Sequence, residues 1–193
     1  MYIDKFEVLR KFKKKISDHN NRVILLEKNY NDLLKLIELS IVTLNKNGKI
    51  IFAGNGGSAS QSLHLAAELI NKFKLKRNAI SSLALTSDTS TITAIANDSD
   101  FKYIFSRQIE ANSNKNDLLI LLSSSNDSKN ISEAIKVSKK MGINCCLITS
   151  KHSKKKSNAN FIIRLPSIDT ASYQEIELIF SHFYIEILEN LAN

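Results

Sequence analysis

The chain has 193 residues, 43% of them hydrophobic, a single proline and a formal charge of +8. That length suits one α/β domain, or one domain with a helical appendage, and the apolar share excludes a disordered chain. No apolar run is long enough to span a bilayer, and Met1-Tyr2-Ile3-Asp4-Lys5 lacks the charged-then-apolar pattern of a secretory leader, so a cytoplasmic chain is the expectation.

In chain order, Phe6, Leu9, Phe12 and Ile16 recur at helical spacing. A second helical stretch carries Val23, Leu26, Tyr30, Leu33, Leu34, Ile37 and Ile41 on one side. Asn47-Gly48 ends it, with Gly48 expected in the left-handed cap conformation. The apolar faces of these helices, residues 1–47, are long for an appendage, and packing against another subunit is expected. Beyond Gly48 the pattern alternates. Strands are expected at 49–53, 80–86, 118–123, 144–149 and 161–165, the last closed by Pro166. Helices are expected at 59–73, 90–96, 103–111, 130–141 and 171–191. Apolar strands separated by helices imply an α/β fold, with a parallel sheet covered on both faces and no internal domain boundary. Cys145 and Cys146, being adjacent on a strand, point to opposite faces and do not bridge.

The basic residues fall into three clusters, at Lys11 to Lys15, Lys72 to Arg77 and Lys151 to Lys156, without any zinc-finger, RRM or KH pattern. A basic surface that favours anionic metabolites, rather than nucleic acid, is the expectation. Gly54-Asn55-Gly56-Gly57-Ser58 holds three of the five glycines between a strand end and a helix start. Glycines there let backbone N–H groups approach an anion or a sugar. The stretch lacks the Gly-Lys-Ser/Thr ending of a Walker A loop, and no acidic residue ends a second strand about twenty positions on, so no nucleotide cofactor is expected. His64 and Glu68 share a helix face, either as a surface pair or as chemistry. Gln174 and His182 are eight apart on a helix that is apolar nearly all round, and spacing leaves His182 open between core and working residue. Ser123 to Ser128, reading Ser-Ser-Ser-Asn-Asp-Ser, suits either a phosphate or helix capping.

These motifs, with Asn97-Asp98 and Gln174-Glu175, occur in one order that resembles the phosphoheptose isomerases of the sugar isomerase (SIS) family. The likeness runs from about Gly48 to the C-terminus, and the helical N-terminus fits it. It implies a five-stranded parallel sheet flanked by helices with an N-terminal helical extension, one SIS domain over 1–193, and a homotetramer with sites at subunit interfaces. The implied reaction converts sedoheptulose 7-phosphate to D-glycero-D-manno-heptose 7-phosphate through an enediolate. The resemblance makes Glu68 the base and His182 the partner acid/base. Asn55, Gly56, Gly57, Glu68, Asn97, Asp98, Ser123, Ser124, Ser125, Ser128 and Gln174 would hold the sugar phosphate. Some family members place zinc between residues matching His64, Glu68, Gln174 and His182. No membrane or nucleic-acid partner is implied.

Two departures stand out. The family loop usually reads Ser-Thr-Ser-Gly-Asn-Ser, where this chain has Asn126-Asp127 for the Gly-Asn pair, with Asn126 expected left-handed and Asp127 expected to cap the following helix. The family often has Asp-Arg where this chain has Ala171-Ser172. Rival readings are a non-catalytic SIS tetramer that binds the replication initiator and a sugar-phosphate sensor. Both Glu68 and His182 favour the enzyme, since a binding module needs neither base nor acid.

Overall fold

A computed structural model describes residues 3–192, so Met1, Tyr2 and Asn193, the ends of the expected domain, lie outside the described residues. Five strands form one parallel sheet: β1 (Ile50–Gly54), β2 (Ser82–Ala84), β3 (Leu118–Leu122), β4 (Asn144–Ser150) and β5 (Phe161–Leu165), in the order β2-β1-β3-β4-β5. Every residue of β1 and β3 is buried, which is why they read as unbroken apolar runs rather than alternations. Strand order reverses between β1 and β3, and the carboxyl edge at such a switch is where open α/β sheets take their ligands.

Alternation of side chains divides the core in two. Ile50, Phe52, Leu118, Ile120, Cys146, Ile148 and Ile163 meet helices α2 (Tyr30–Asn45), α3 (Gly57–Ile70) and α7 (Thr170–Leu191) on one face. Ile51, Ala53, Leu119, Leu121, Cys145 and Leu147 meet α5 (Ser106–Asn112) and α6 (Lys129–Lys140) on the other. Adjacent Cys145 and Cys146 thus lie in different clusters, both buried and free, as the strand period requires. Burial pushes the Cys145 thiol up to about 12, so it is inert as a nucleophile at neutral pH.

The first two helices part company. Helix α1 (Lys5–Leu25) is capped by Asp4, whose carboxylate accepts from Phe6 N and Glu7 N, yet no residue of it is buried. Phe6 is 86% and Phe12 62% exposed, with Leu9 and Ile16 on the same face. Helix α2 instead sinks Leu36 and Ile37 into its own core, and the Ser40 hydroxyl meets the Tyr184 hydroxyl at 2.6 Å. The expectation that both helices pack outward is therefore corrected for the inner face of α2.

Three local expectations are also corrected. At the end of α2 it is Asn47 that takes the left-handed conformation, with φ 55°, whereas Gly48 is needed because a Cβ there would collide with the Asn116 carbonyl. The helix expected over 103–111 is a short turn at Phe101–Tyr103, followed by α5, because Asp100 caps the turn through Lys102 N. Asp127 caps nothing: the N-cap of α6 is Ser128, and the Asp127 carboxylate pairs with Lys155 at 3.3 Å.

Candidate active site

The turn after β1 answers first to its own fold. Gly56 has φ 56° and ψ −122°, a backbone state that a side chain disfavours. The Gln174 amide lies over Gly57, in the space that a Cβ there would take. Gln61 fastens the same contact, its Nε2 donating to the Gln174 carbonyl at 2.8 Å. Gln174 is thereby brought to the amino end of α3, beside Asn55 to Gly57.

Helix α3 starts at this turn without a side-chain cap on its Gly56 N-cap, and α6 starts without one on Ser128. Both amino ends border one cavity of about 540 Å³, lined by Asn55, Gly56, Ser128, Lys129 and Asn130 and by the Asp100–Lys102 turn. Helix amino ends carry partial positive charge, and Lys129 adds a whole one, while Lys102 is paired at 3.4 Å with Asp100 of the same lining, so the cavity suits an anion. Asn55 is held across it by a reciprocal amide pair: Asn55 Nδ2 donates to Asn130 Oδ1 at 2.9 Å, and Asn130 Nδ2 to Asn55 Oδ1 at 2.8 Å. Asn130 was not legible as a site residue in the sequence, where it reads as an ordinary first-turn asparagine.

The serine loop continues the same edge. Ser123 is buried, and its Oγ accepts from Asn126 N at 3.1 Å, while Asn126 has the expected left-handed φ of 56°. Ser124 and Ser125 face a second cavity of about 340 Å³, lined also by Ser150, His152, Lys154 and the start of α7. Ser128 faces the first cavity.

Farther along α3 stands the titratable cluster. His64 Nε2 and His182 Nε2 are 2.8 Å apart, so one ring presents N–H and the other a lone pair. Glu68 Oε1 is 3.7 Å from the other nitrogen, Nδ1, of His64. Carboxylate, imidazole and imidazole thus stand in series. Burial holds His182 below its ordinary value, the neighbouring His64 adds to this, and Glu68 opposes it. Phe73 covers His182 with ring centroids 5.0 Å apart. The turn of α3 that carries Glu68 is anchored from below by Arg77, fully buried, whose Nη2 donates to the Glu68 carbonyl and Nη1 to the Leu69 carbonyl, each at 2.9 Å. Glu189 of α7 lies 3.3 Å from Arg77 Nε and accepts from the backbone N–H groups of Phe73, Lys74 and Leu75. This lock ties Glu68 to the end of α7, and spacing alone could not reveal it.

The expected residues therefore form two groups. His64 stands between Glu68 and His182, one on each of its ring nitrogens. Asn55, Gly56, Gly57, Gln174 and the serines gather at the sheet edge, two to three helical turns away along α3. Asn97 and Asp98 are in neither: they end α4 (Thr89–Asp98), exposed and bonded to one another at 2.8 Å. The four expected zinc donors do not fit one ion within the chain. Gln174 lies over Gly57 and its side chain belongs to the edge group, Glu68 faces the ring nitrogen of His64 that points away from His182, and among the described residues no three His, Cys, Asp or Glu side chains close on one point. Among the described residues no helix is long and apolar enough to cross a membrane.

Comparison with known proteins identifies the fold and the family. The SIS domain model matches residues 11–150. The chain is 41% identical over 160 residues to a phosphoheptose isomerase of Campylobacter jejuni, covering 81% of this chain and 85% of that one. It is 38% identical over 158 residues to a phosphoheptose isomerase of Thermodesulfovibrio yellowstonii, covering 81% and 79%. Among solved structures, the phosphoheptose isomerase of Francisella tularensis superposes with a TM-score of 0.89 at 25% identity, covering 95% of this chain and 98% of that one. That of Neisseria gonorrhoeae superposes with a TM-score of 0.86 at 26% identity, covering 95% and 99%. The chain belongs to the SIS-domain family and, within it, to the phosphoheptose isomerases.

Proposed function

We propose that this protein is the enzyme that interconverts sedoheptulose 7-phosphate and D-glycero-D-manno-heptose 7-phosphate, by way of an enediolate. The observation that carries the chemistry is the meeting of Glu68, His64 and His182, on a scaffold whose sheet edge offers two uncapped helix amino ends to an anion. Ketose-to-aldose conversion moves one proton from C1 to C2 and one from the C1 hydroxyl to the C2 oxygen, leaving the formula unchanged. Glu68 lifts the C1 proton, and the negative charge settles on the enediolate oxygens. His182, neutral at pH 7 because its pKa lies below the ordinary value, exchanges protons with the enediolate on the other side. Ser123, Ser124, Ser125, Ser128 and the Asn55–Gly57 turn hold the phosphate end, with Gln174 as a further substrate contact; Asn97 and Asp98, outside both groups within one chain, are assigned to substrate by the family resemblance alone. No step is assigned to zinc, because its four donors do not converge within the chain.

The two groups of residues stand apart along α3: Glu68 is eleven positions beyond Gly57, about 16 Å at 1.5 Å per residue. We infer that a second copy supplies one of the two halves to each substrate, in a homotetramer. The support is α1, a 21-residue helix with no buried residue, on which Phe6, Leu9, Phe12 and Ile16 stand exposed in one chain. The functional reading is tested by Glu68→Gln, nearly isosteric and without the base: turnover falls by about a thousandfold or more, within the range general-base removal costs, while the oligomer persists. Retained turnover in that variant refutes the base assignment.

A further inference from the structure

On the reading that residues 123–128 hold the substrate phosphate, we propose that Lys155 is a positioning residue for that loop and the counter-charge that lets this chain carry Asp127 in it.

The end of β4 and the β4–β5 connection run beside the serine loop and take the carbonyl oxygens of Ser124, Ser125 and Asp127. Ser150 N and Thr149 Oγ1 both donate to the Ser124 carbonyl, at 3.2 Å each. Ser153 Oγ donates to the Ser125 carbonyl at 2.8 Å. Lys155 Nζ donates to the Asp127 carbonyl at 3.3 Å and stands 3.3 Å from the Asp127 carboxylate. In the other direction, the buried Asn126 donates its Nδ2 to the Lys155 carbonyl at 3.1 Å. The end of β4 holds the loop at residue 124 and the β4–β5 connection holds it at 125, 126 and 127, and Lys155 alone contributes three of the bonds and contacts.

The physical consequence is specific to an anion-binding loop. Carbonyl oxygens repel a phosphate, so a loop that binds one must point them elsewhere, and here the end of β4 and the β4–β5 connection receive those of Ser124, Ser125 and Asp127. Asn126, standing left-handed where the family usually has glycine, is fixed by its amide to the Lys155 backbone. Asp127 places a negative charge in the same loop, and the Lys155 ammonium cancels it at close range. As an exposed pair it adds little to stability, and its effect lies in the potential met by a dianionic ligand. Loss of the ammonium alone leaves Asp127 opposing the phosphate.

Steady-state kinetics with sedoheptulose 7-phosphate on the full-length wild type, Lys155→Ala, Lys155→Arg, Asp127→Asn and the Lys155→Ala/Asp127→Asn double variant test this. Lys155→Ala is expected to raise KM about fivefold, the effect of one unpaired charge close to the ligand in a watery setting, with kcat within about twofold. Lys155→Arg restores KM. Asp127→Asn lowers KM at least about three times more in the Lys155→Ala background than in the wild type, and the whole difference shrinks with added salt. An unchanged KM in Lys155→Ala, a loss confined to kcat, or equal effects of Asp127→Asn in both backgrounds overturns the proposal. The same variants are titrated with inorganic phosphate, following the Ser125 and Asn126 amide resonances. If the wild type does not turn over the sugar, the functional reading fails, and the Lys155 proposal stands or falls on whether these dissociation constants show the same pattern.

Discussion

Glu177 carries a charge the fold does not accommodate. It lies on α7 between Gln174 and His182 with no accessible surface, its Oε1 accepts from Ser181 Oγ at 2.7 Å, and its Oε2 has no hydrogen-bond partner. Burial pushes its pKa up to about 7, from an ordinary value of 4.5. The folded state thus binds this proton more tightly than the unfolded state. Its stabilising contribution is complete below about pH 4.5 and is lost as pH rises through 7. A rise from 4.5 to about 7, at 1.36 kcal/mol per unit, comes to about 3 kcal/mol, most of it lost between pH 5 and pH 8.5. Glu177→Gln keeps the shape and cannot ionise. Its amide group leaves one donor short of a partner, a cost of about 1–3 kcal/mol, but that cost is the same at both pH values. Urea unfolding of wild type and variant at pH 5 and 8.5, at one protomer concentration, isolates the charge. The variant gains about 2–3 kcal/mol on the wild type between the two conditions. An equal difference at both pH values refutes an ionising, solvent-excluded Glu177.

Other outcomes follow from the same geometry. In a proton NMR titration the His182 ring titrates below 6.5, and Glu68→Gln lowers the midpoint further, because Glu68 is the group that holds it up; a midpoint above 6.5, or an upward shift, contradicts the placement of the cluster. Phe12→Asp with Ile16→Asp, on a helix face covered by nothing in its own chain, yields smaller species by light scattering while far-UV circular dichroism is retained; an unchanged mass excludes that face from the interface. Gly57→Ala displaces the Gln174 amide and raises KM by about tenfold, about 1.4 kcal/mol of binding, without unfolding the sheet; wild-type kinetics would show that Gln174 has no part in holding substrate.

Most of the sheet was legible because its central strands are buried on both faces, and burial on both faces writes an uninterrupted apolar run such as Leu118 to Leu122. The partner of α2 was not, since an apolar helix face reads alike whether its own sheet or another chain covers it. Leu36 and Phe12 differ only in where the chain places them. The glycines of the turn announced a close approach, but the group approaching Gly57 is a side chain of this protein, Gln174, from more than a hundred positions away. The eight-position spacing of Gln174 and His182 gave a shared helix side and hid their assignment to different groups, one over the turn and one against His64. Asp127 read as a cap because aspartate before a helix usually is one; its real partner, Lys155, lies 28 positions on, within a cluster that composition alone describes only as basic.

The central claim is that Glu68 and His182 move a carbon-bound proton on a seven-carbon sugar phosphate. Purified protein incubated with sedoheptulose 7-phosphate in deuterium oxide, followed by proton and carbon NMR, tests it most directly. The expected result is D-glycero-D-manno-heptose 7-phosphate carrying solvent deuterium at C2, formed by the wild type and not by Glu68→Gln. Unchanged sedoheptulose 7-phosphate with the folded wild-type oligomer, or an aldose formed equally well by the Glu68→Gln variant, contradicts it.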